Sequence, residues 1–465
     1  MYELRGRSSS GGSSLKPVAA LAKLIPSTVR RIVRRICDAG FQAYPVGGAV
    51  RDLLIERKVG DWDVTTNARP EQIIHLFKRV IPTGVAHGTV TVLYRRRKVE
   101  VTTFRGDLGY TDGRHPDQVV FLDSLKEDLK RRDFTVNAMA YDIEARCLID
   151  PYGGQLDLQK KIIRAVGKPI ERYNEDGLRP LRAVRFASVL NFEIDRQTFS
   201  AIPKSLDVFR KVALERVKDE LMKILADVNA ARGVELLRSS GLLAEILPEL
   251  LPTVGFEQNQ FHRYDVYDHS IKSLEHARGD GVLKLAVLLH DIGKPISAEG
   301  PREQRTFYGH EKVSAKLAEK IMRRLKFSNT ERNRVCSLIS AHMFHYESGW
   351  TDGAVRRLIR RIGPKLLKNL WEIRRADAWG RGIGVRDSLA NLRTLRERVE
   401  KVMQADAALK ITDLAISGTE VMKILGCKAG PPVGLALEAL LERVLDEPDL
   451  NSPNALKKIL KTLSF

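Results

Sequence analysis

The chain has 465 residues, 43 % of them hydrophobic, enough for two to four folded domains with cores of their own. Lys and Arg number 78 against 58 Asp and Glu, and the resulting charge of +20 suits a polyanionic partner, most often nucleic acid. No apolar run is long enough to span a membrane, and four scattered cysteines without a CxxC argue against a thiolate zinc site and for reduced thiols in a cytoplasmic protein.

Residues 1–24, with "GRSSSGGSSLKP" at 6–17, read as a flexible polar leader lacking a signal-peptide core. Residues 28–39 predict a basic amphipathic helix, in which Arg30, Arg31, Arg34 and Arg35 flank Val29, Ile32, Val33 and Ile36. "FQAYPV" (41–46) reads as a strand and "GGAVRDLLI" (47–55) as a glycine turn opening a helix. "GDWDVTT" (60–66) predicts a strand with Asp61 and Asp63 on one face. A helix is expected over "PEQIIHLFKRV" (70–80), then strands "TVTVLY" (89–94) and "KVEVTTF" (98–104) around a basic turn. Beyond about residue 171 the pattern is helical, as in "LRPLRAVRFASVLNF" and "LERVKDELMKILADV", and seven of the ten histidines lie between His262 and His345.

The first chemistry comes from combining "PVGGAVRD" with "GDWDVTT". Gly47 and Gly48 let a phosphate approach the backbone, a helix start offers free N–H donors, and Arg51 lies one turn in, able to pair with phosphate. Asp61 and Asp63 have the spacing to grip Mg²⁺ ions that also bind a triphosphate. Either element alone reads more simply as a tight turn or a solvated strand face. In this order they describe a nucleotidyl-transfer site.

"VGGAVRDLLIERKVGDWDVTT" resembles the nucleotidyltransferase motif of the family of class II tRNA CCA-adding enzymes and bacterial poly(A) polymerases, within the polymerase β superfamily. "LKRRDFTVNAMAYD" (129–142), "DPYGGQLDL" (150–158), "RYNEDGLRPLRAVRFA" (172–187) and "LERVKDEL" (214–221) resemble its later motifs in order. The resemblance implies an α+β chain: a polymerase β-like α/β head (25–165), an all-helical neck that selects the nucleotide (166–230), a helical body of the HD type (231–395) and a tRNA-binding helical tail (396–465). It implies that Asp61 and Asp63 bind metal, and that Arg131, Arg132, Asp133 and Asn137 contact ribose and triphosphate, with Asp133 a good acceptor for a ribose hydroxyl. Glu100, on a nearby strand, corresponds to a third superfamily carboxylate that activates the attacking hydroxyl; its plain alternative is an ion pair with a local arginine.

The fourth motif carries nucleotide choice in this family. Asp176 and Arg179 are three apart on a predicted helix, so they share a face, and an acceptor beside a planar donor fork complements a base edge. Glu175 would orient Arg179, and Arg182 would bond or stack on the base; without the flanking motifs an ordinary helix ion pair would be preferred. "IPTGVAHGTVTV" (81–92) resembles the CCA-adding branch, and the segment "RGDLGYTDGRHPDQVVF" (105–121) matches a loop that CC-only enzymes lack. Complete CCA addition and A-only addition both stay open, with poly(A) tailing as the other relative.

"DVYDHSI", "LLHDIGKP" and "RRADAWG" supply His269, His290, Asp291 and Asp377, a donor set suited to a divalent metal. Their order resembles the HD phosphohydrolase superfamily, with His310 and His342 as further ligands where such sites hold two metals. The resemblance implies hydrolysis of phosphoesters at RNA ends; the alternative is an HD fold kept as a scaffold. Arg356, Arg357, Arg360, Arg361, Lys365, Lys368, Arg374 and Arg375 form a basic helical region read either as an RNA phosphate grip or as a solvated face. The expected partners are tRNA, CTP and ATP, with no membrane; rivals from other classes are a metal-dependent RNA-end phosphohydrolase and a non-catalytic tRNA-binding protein.

Overall fold

The computed structural model describes residues 15–95, 97–108, 118–344, 346–347, 349–404 and 410–462. Its contacts divide the chain into two compact units, Met1–Ile246 and Leu247–Phe465. No helix among the described residues is long and apolar enough to cross a membrane.

The first unit is organised by a seven-stranded mixed sheet. Its strands are β1 (Ala43–Val46), β2 (Asp63–Thr66), β3 (Val80–Gly84), β4 (Thr89–Tyr94), β5 (Arg97–Thr103), β8 (Ala140–Asp142) and β9 (Cys147–Ile149), in the order β3-β4-β5-β2-β1-β8-β9. β6 (Arg105–Leu108) and β7 (Gln118–Phe121) form a separate antiparallel pair. The segment between them, 109–117, lies outside the described residues, so most of the loop expected to distinguish the branches is not described.

Alternation drives the central register. Val64, Val90, Val92, Val99 and Val101 are buried, while Arg97, Lys98 and Glu100 on β5 are exposed. The helix Ser27–Asp38 buries Val29, Ile32, Val33 and Ile36 and leaves all four of its arginines exposed, as the sequence pattern requires. Three local expectations change. Val18–Leu24, within the supposed leader, is a helix, because Leu21 and Ile25 are four apart and both bury. The helix expected through Val80 stops at Leu76, and Val80–Gly84 joins the sheet as an edge strand, where Pro82 is tolerated. β2 starts at Asp63, so Asp61 precedes the strand.

After the sheet come helices Pro169–Glu175, Arg179–Leu190, Leu214–Ala226 and Ala230–Ser239. A short parallel pair, β10 (Ile162–Ile163) with β11 (Glu193–Ile194), interrupts this helical stretch.

In the second unit the helix Gly281–Leu289 buries Leu283, Leu285, Ala286, Val287, Leu288 and Leu289 together with Lys284, and delivers His290 and Asp291 to the interior. Helices Val266–His276, His310–Arg324, Asn329–Ala341 and Pro364–Arg381 carry or adjoin the other histidines and Asp377. The basic region is largely consumed inside this unit. Arg357 and Arg360 pair with Glu438, Glu442 and Asp446, buried Arg356 donates to the Leu445 carbonyl, Arg374 pairs with Asp377, and Arg375 pairs with Glu372. An i,i+3 or i,i+4 reading of the helix alone cannot see the acids of Pro431–Asp446; only Arg361, Lys365 and Lys368 of the expected grip are exposed.

Candidate active site and metal centre

β2 and β5 run parallel, with Asp63 directly opposite Glu100. Asp61 stands two residues before the strand, exposed to solvent. Asp63 senses its neighbours: burial pushes its carboxyl up, Arg132 opposes the shift, and Glu100 and Asp61 add to it. Converging acids of this kind fit a hard divalent cation, which would relieve their repulsion.

The glycine turn faces this cluster. Gly47 has φ 75° and donates to the Met139 carbonyl at 3.0 Å, and a Cβ there would lie 2.8 Å from Arg132 Nη1. Gly48 opens the helix Gly48–Leu54. Arg51 is buried and tied down by Asn137 Oδ1 (2.5 Å) and Asp52 (2.8 Å), so it braces the turn.

Arg131 and Arg132 both lean on Asp128, which is completely buried, at 2.9 and 3.7 Å. Arg132 keeps the looser contact, and its buried Nε has no hydrogen-bond partner. Asp133 accepts from Arg182 (2.6 and 2.9 Å), from Asn137 Nδ2 (3.0 Å) and from the Phe134 N–H (2.8 Å). Burial opposes its ionisation, but Arg182 and the Asn137 hydrogen bond outweigh that and hold it well below the carboxylate range. Arg182 therefore faces Asp133 here rather than open space.

The fourth-motif pair differs from the expectation. Asp176 caps the helix Pro169–Glu175 in extended geometry, and Arg179 opens the next helix, so the two do not share a helix face. Asp176 pairs with Arg216 (2.9 Å), and Arg179 pairs with Glu175 (2.6 Å) and donates to the Arg131 and Arg172 carbonyls. The break occurs at Gly177, where a Cβ would meet the Val208 carbonyl at 2.6 Å. Glu175, expected to orient Arg179, is its ion-pair partner.

His269, His290, Asp291, His310, His342 and Asp377 converge in one buried cluster. Asp291 is its hinge. Oδ2 lies 3.2 Å from His269 Nε2 and 3.3 Å from His290 Nε2, while Oδ1 lies 3.1 Å from His310 Nε2 and 3.6 Å from His342 Nε2. Asp377 Oδ1 is 3.4 Å from His269 Nε2. The Nδ1 atoms of His290, His310 and His342 sit 2.6–2.7 Å from the carbonyls of Val287, Phe307 and Ile339. A carbonyl only accepts, so each Nδ1 carries the proton and each Nε2 presents a lone pair to Asp291. Acceptors then face acceptors, and Asp291 Oδ1 and His310 Nε2 are buried without a hydrogen-bond partner. This is a donor set that fits divalent cations on both sides of Asp291. Lys294 holds Asp291 Oδ2 and Gln258 Oε1, each at 2.6 Å. Gln258 and His262 also line a cavity of about 540 Å³.

Family models match three consecutive regions: the poly A polymerase head domain over 43–164, a probable RNA and SrmB-binding site of polymerase A over 191–253, and an HD domain over 266–392. The CCA-adding enzyme of Listeria monocytogenes serotype 4b is 32 % identical over 92 % of this chain and 96 % of its own length. The chain belongs to the CCA-adding enzyme family. The crystal structure of the Bacillus stearothermophilus CCA-adding enzyme in complex with CTP is similar with a TM-score of 0.73 and 29 % identity, covering 94 % of this chain and 96 % of that one. The CCA-adding enzyme of Lactobacillus johnsonii is 45 % identical over 46 % of this chain, and the chain spans about half of that relative's length, 54 %.

Within this CCA-adding enzyme fold, the residues that sequence reasoning missed are supports. Asp128 anchors Arg131 and Arg132 from three and four residues upstream, a spacing visible in "EDLKRRD". Glu220 is buried in the fifth motif and bonds Arg185 and Lys223, with Arg182 at 3.9 Å. Phe186 carries the guanidiniums of Arg51, Arg182 and Arg185 against its ring.

Proposed function

We propose that this chain adds CCA to the 3′ end of tRNA without a template, using CTP and ATP. The observation that carries the reading is the parallel register of Asp63 with Glu100, with Asp61 two residues before and Arg132 facing them. The 3′-hydroxyl attacks the α-phosphate, the bond to the β-phosphate breaks, and pyrophosphate leaves. Glu100 takes the hydroxyl proton. Mg²⁺ held by Asp61 and Asp63 would, when bound, lower the hydroxyl pKa and neutralise the triphosphate. Arg132 supplies a cation to the phosphates, and the N–H groups after Gly47 receive them. Arg51, Asn137 and Asp133 keep the turn and Arg182 in place. Asp176 and Arg179, presented at a helix break, read the base edge by exchanging their present partners Arg216 and Glu175 for it. Four free cysteines support a cytoplasmic setting.

The test uses three tRNAs ending before CCA, after C and after CC, with Mg²⁺ and labelled CTP or ATP. Extension of all three to CCA is expected. Use of ATP on the CC-ended tRNA alone would replace the reading with A addition, and long A tails on generic RNA with poly(A) polymerisation.

A second activity is favoured by the buried cluster around Asp291: phosphoester hydrolysis at an RNA end. A divalent cation held there by His269, His290, Asp291 and Asp377, or by Asp291, His310 and His342, would supply hydroxide at neutral pH. The Nδ1–carbonyl bonds fix the imidazoles for this, and Lys294 offers a cation to an incoming phosphate. Absence of phosphate-ester hydrolysis on a 2′,3′-cyclic end with Mn²⁺, Mg²⁺, Co²⁺ or Ni²⁺ would leave the cluster as a scaffold.

A further inference from the structure

Asp377 faces two ways. Its Oδ1 points to His269, and its Oδ2 accepts from Arg374 Nη1 at 2.9 Å. Beyond Arg374 lies a small cavity of about 130 Å³, lined by Phe344, Tyr346, Arg374, Arg381, Ser388 and Asn391 among others. It is set apart from the cavity bordered by His262 and Gln258 and shares no lining residue with it.

The lining has too much positive charge and too many unused donors. Arg374 and Arg381 supply two guanidiniums, and Asp377 is the carboxylate between them and the histidine cluster. Arg374 Nη2 makes only a long contact to the Phe344 carbonyl, at 3.5 Å. Arg381 donates through Nη2 to Ser388 Oγ (2.9 Å), but its buried Nε has no hydrogen-bond partner. Buried donors without acceptors cost free energy that an anion would recover.

We propose that this cavity behind Asp377 binds a phosphate-type oxyanion, free or as the terminal monoester of a nucleotide. The guanidiniums of Arg374 and Arg381 donate to its oxygens, with Ser388, Tyr346 and Asn391 completing the shell. The cavity admits a phosphate group, so a terminal monoester would enter phosphate first. The site belongs to neither reaction proposed above, and it stands or falls separately from them.

The experiment is calorimetric titration of the full chain with inorganic phosphate in EDTA, which removes metal-borne binding. Arg381→Gln is expected to weaken phosphate at least tenfold while CCA incorporation and thermal unfolding stay unchanged. If Arg381→Gln fails to fold, Ser388→Asp serves instead, placing a carboxylate on the cavity wall with the same expected loss. A 3′-nucleoside monophosphate that competes with phosphate, and is weakened by the same change, identifies the source as a nucleotide end; binding of phosphate alone identifies free anion. Phosphate affinity equal in wild type and variant overturns the proposal, as does absence of binding to the wild type.

Discussion

Around Asp63 the acids remain in touch with solvent, and the nearby cations are arginines held from behind by Asp128. Around Asp291 every donor is buried, the imidazoles of His290, His310 and His342 are locked by main-chain carbonyls, and the acceptors point at one another. The first arrangement suits a ligand that brings both its own charge and its own metal-binding oxygens. A cation in the second would be held almost entirely by protein atoms. An open polyanion site on a sheet and a closed site between helices are thus two solutions to the same problem of repelling acceptors.

The largest expected effect separates the two. Asp63→Ala should lower nucleotide incorporation by about a thousandfold or more, since it removes a carboxylate that answers several kcal/mol of transition-state charge. Phosphoester hydrolysis should stay at the wild-type level. Asp291→Asn should do the reverse, abolishing hydrolysis and the stabilisation that divalent ions give through the histidine cluster. Measured side by side, loss of both activities in either folded variant would end the description of two independent centres.

The comparison also explains what could be read before the fold. Asp61, Asp63, His290 and Asp291 are legible because the chemistry sits on adjacent or alternate residues. Glu100 became a partner of Asp63 only through the parallel register of β2 and β5, which no local spacing encodes. Asp176 and Arg179 looked like one helix face because the sequence carries helical residues on both sides; the break at Gly177 is set by the close approach of Val208, a tertiary contact. The arginines at 356, 357 and 360 read as an RNA grip because their partners, acids for Arg357 and Arg360 and the Leu445 carbonyl for Arg356, lie some eighty residues later. His310 and His342 could be named from the clustering of histidines, but their common target, Asp291 Oδ1, appears only when three helices meet.

A middle-sized effect tests how the open site is braced. Burial raises the Glu220 carboxyl, but Arg185 and Arg182 more than compensate, so its folded pKa lies below the usual value. A depressed pKa stabilises the fold above the ordinary glutamate range, near pH 4, and that stability is lost as pH falls through the lower folded value. Asp133 contributes in the same direction. Glu220→Gln is expected to cost about 1.5–3 kcal/mol at neutral pH, the scale of a charged hydrogen bond. Its unfolding free energy should also fall less than that of wild type between pH 5 and the acid limb. Parallel pH curves for the two proteins would remove Glu220 from the bracing network.

The smallest effects compare glycines. At Gly47 a Cβ would meet the free end of Arg132, and the positive φ adds strain of about 1–2 kcal/mol. Arg132 can swing aside, so Gly47→Ala should cost about that strain in stability and show chiefly as weaker nucleotide binding. At Gly293 a Cβ would lie 2.7 Å from the Ser314 N and 2.9 Å from the His310 carbonyl. Main chain cannot swing aside, so Gly293→Ala should cost about 1–3 kcal/mol by overpacking and push His310 away from Asp291. Thermal unfolding and Mn²⁺ titration of the two variants give the ordering: Gly293→Ala loses more stability and loses metal affinity, while Gly47→Ala keeps metal affinity at the Asp291 cluster. The reverse ordering would mean that the closed site is the more compliant of the two, against the packing seen between its helices.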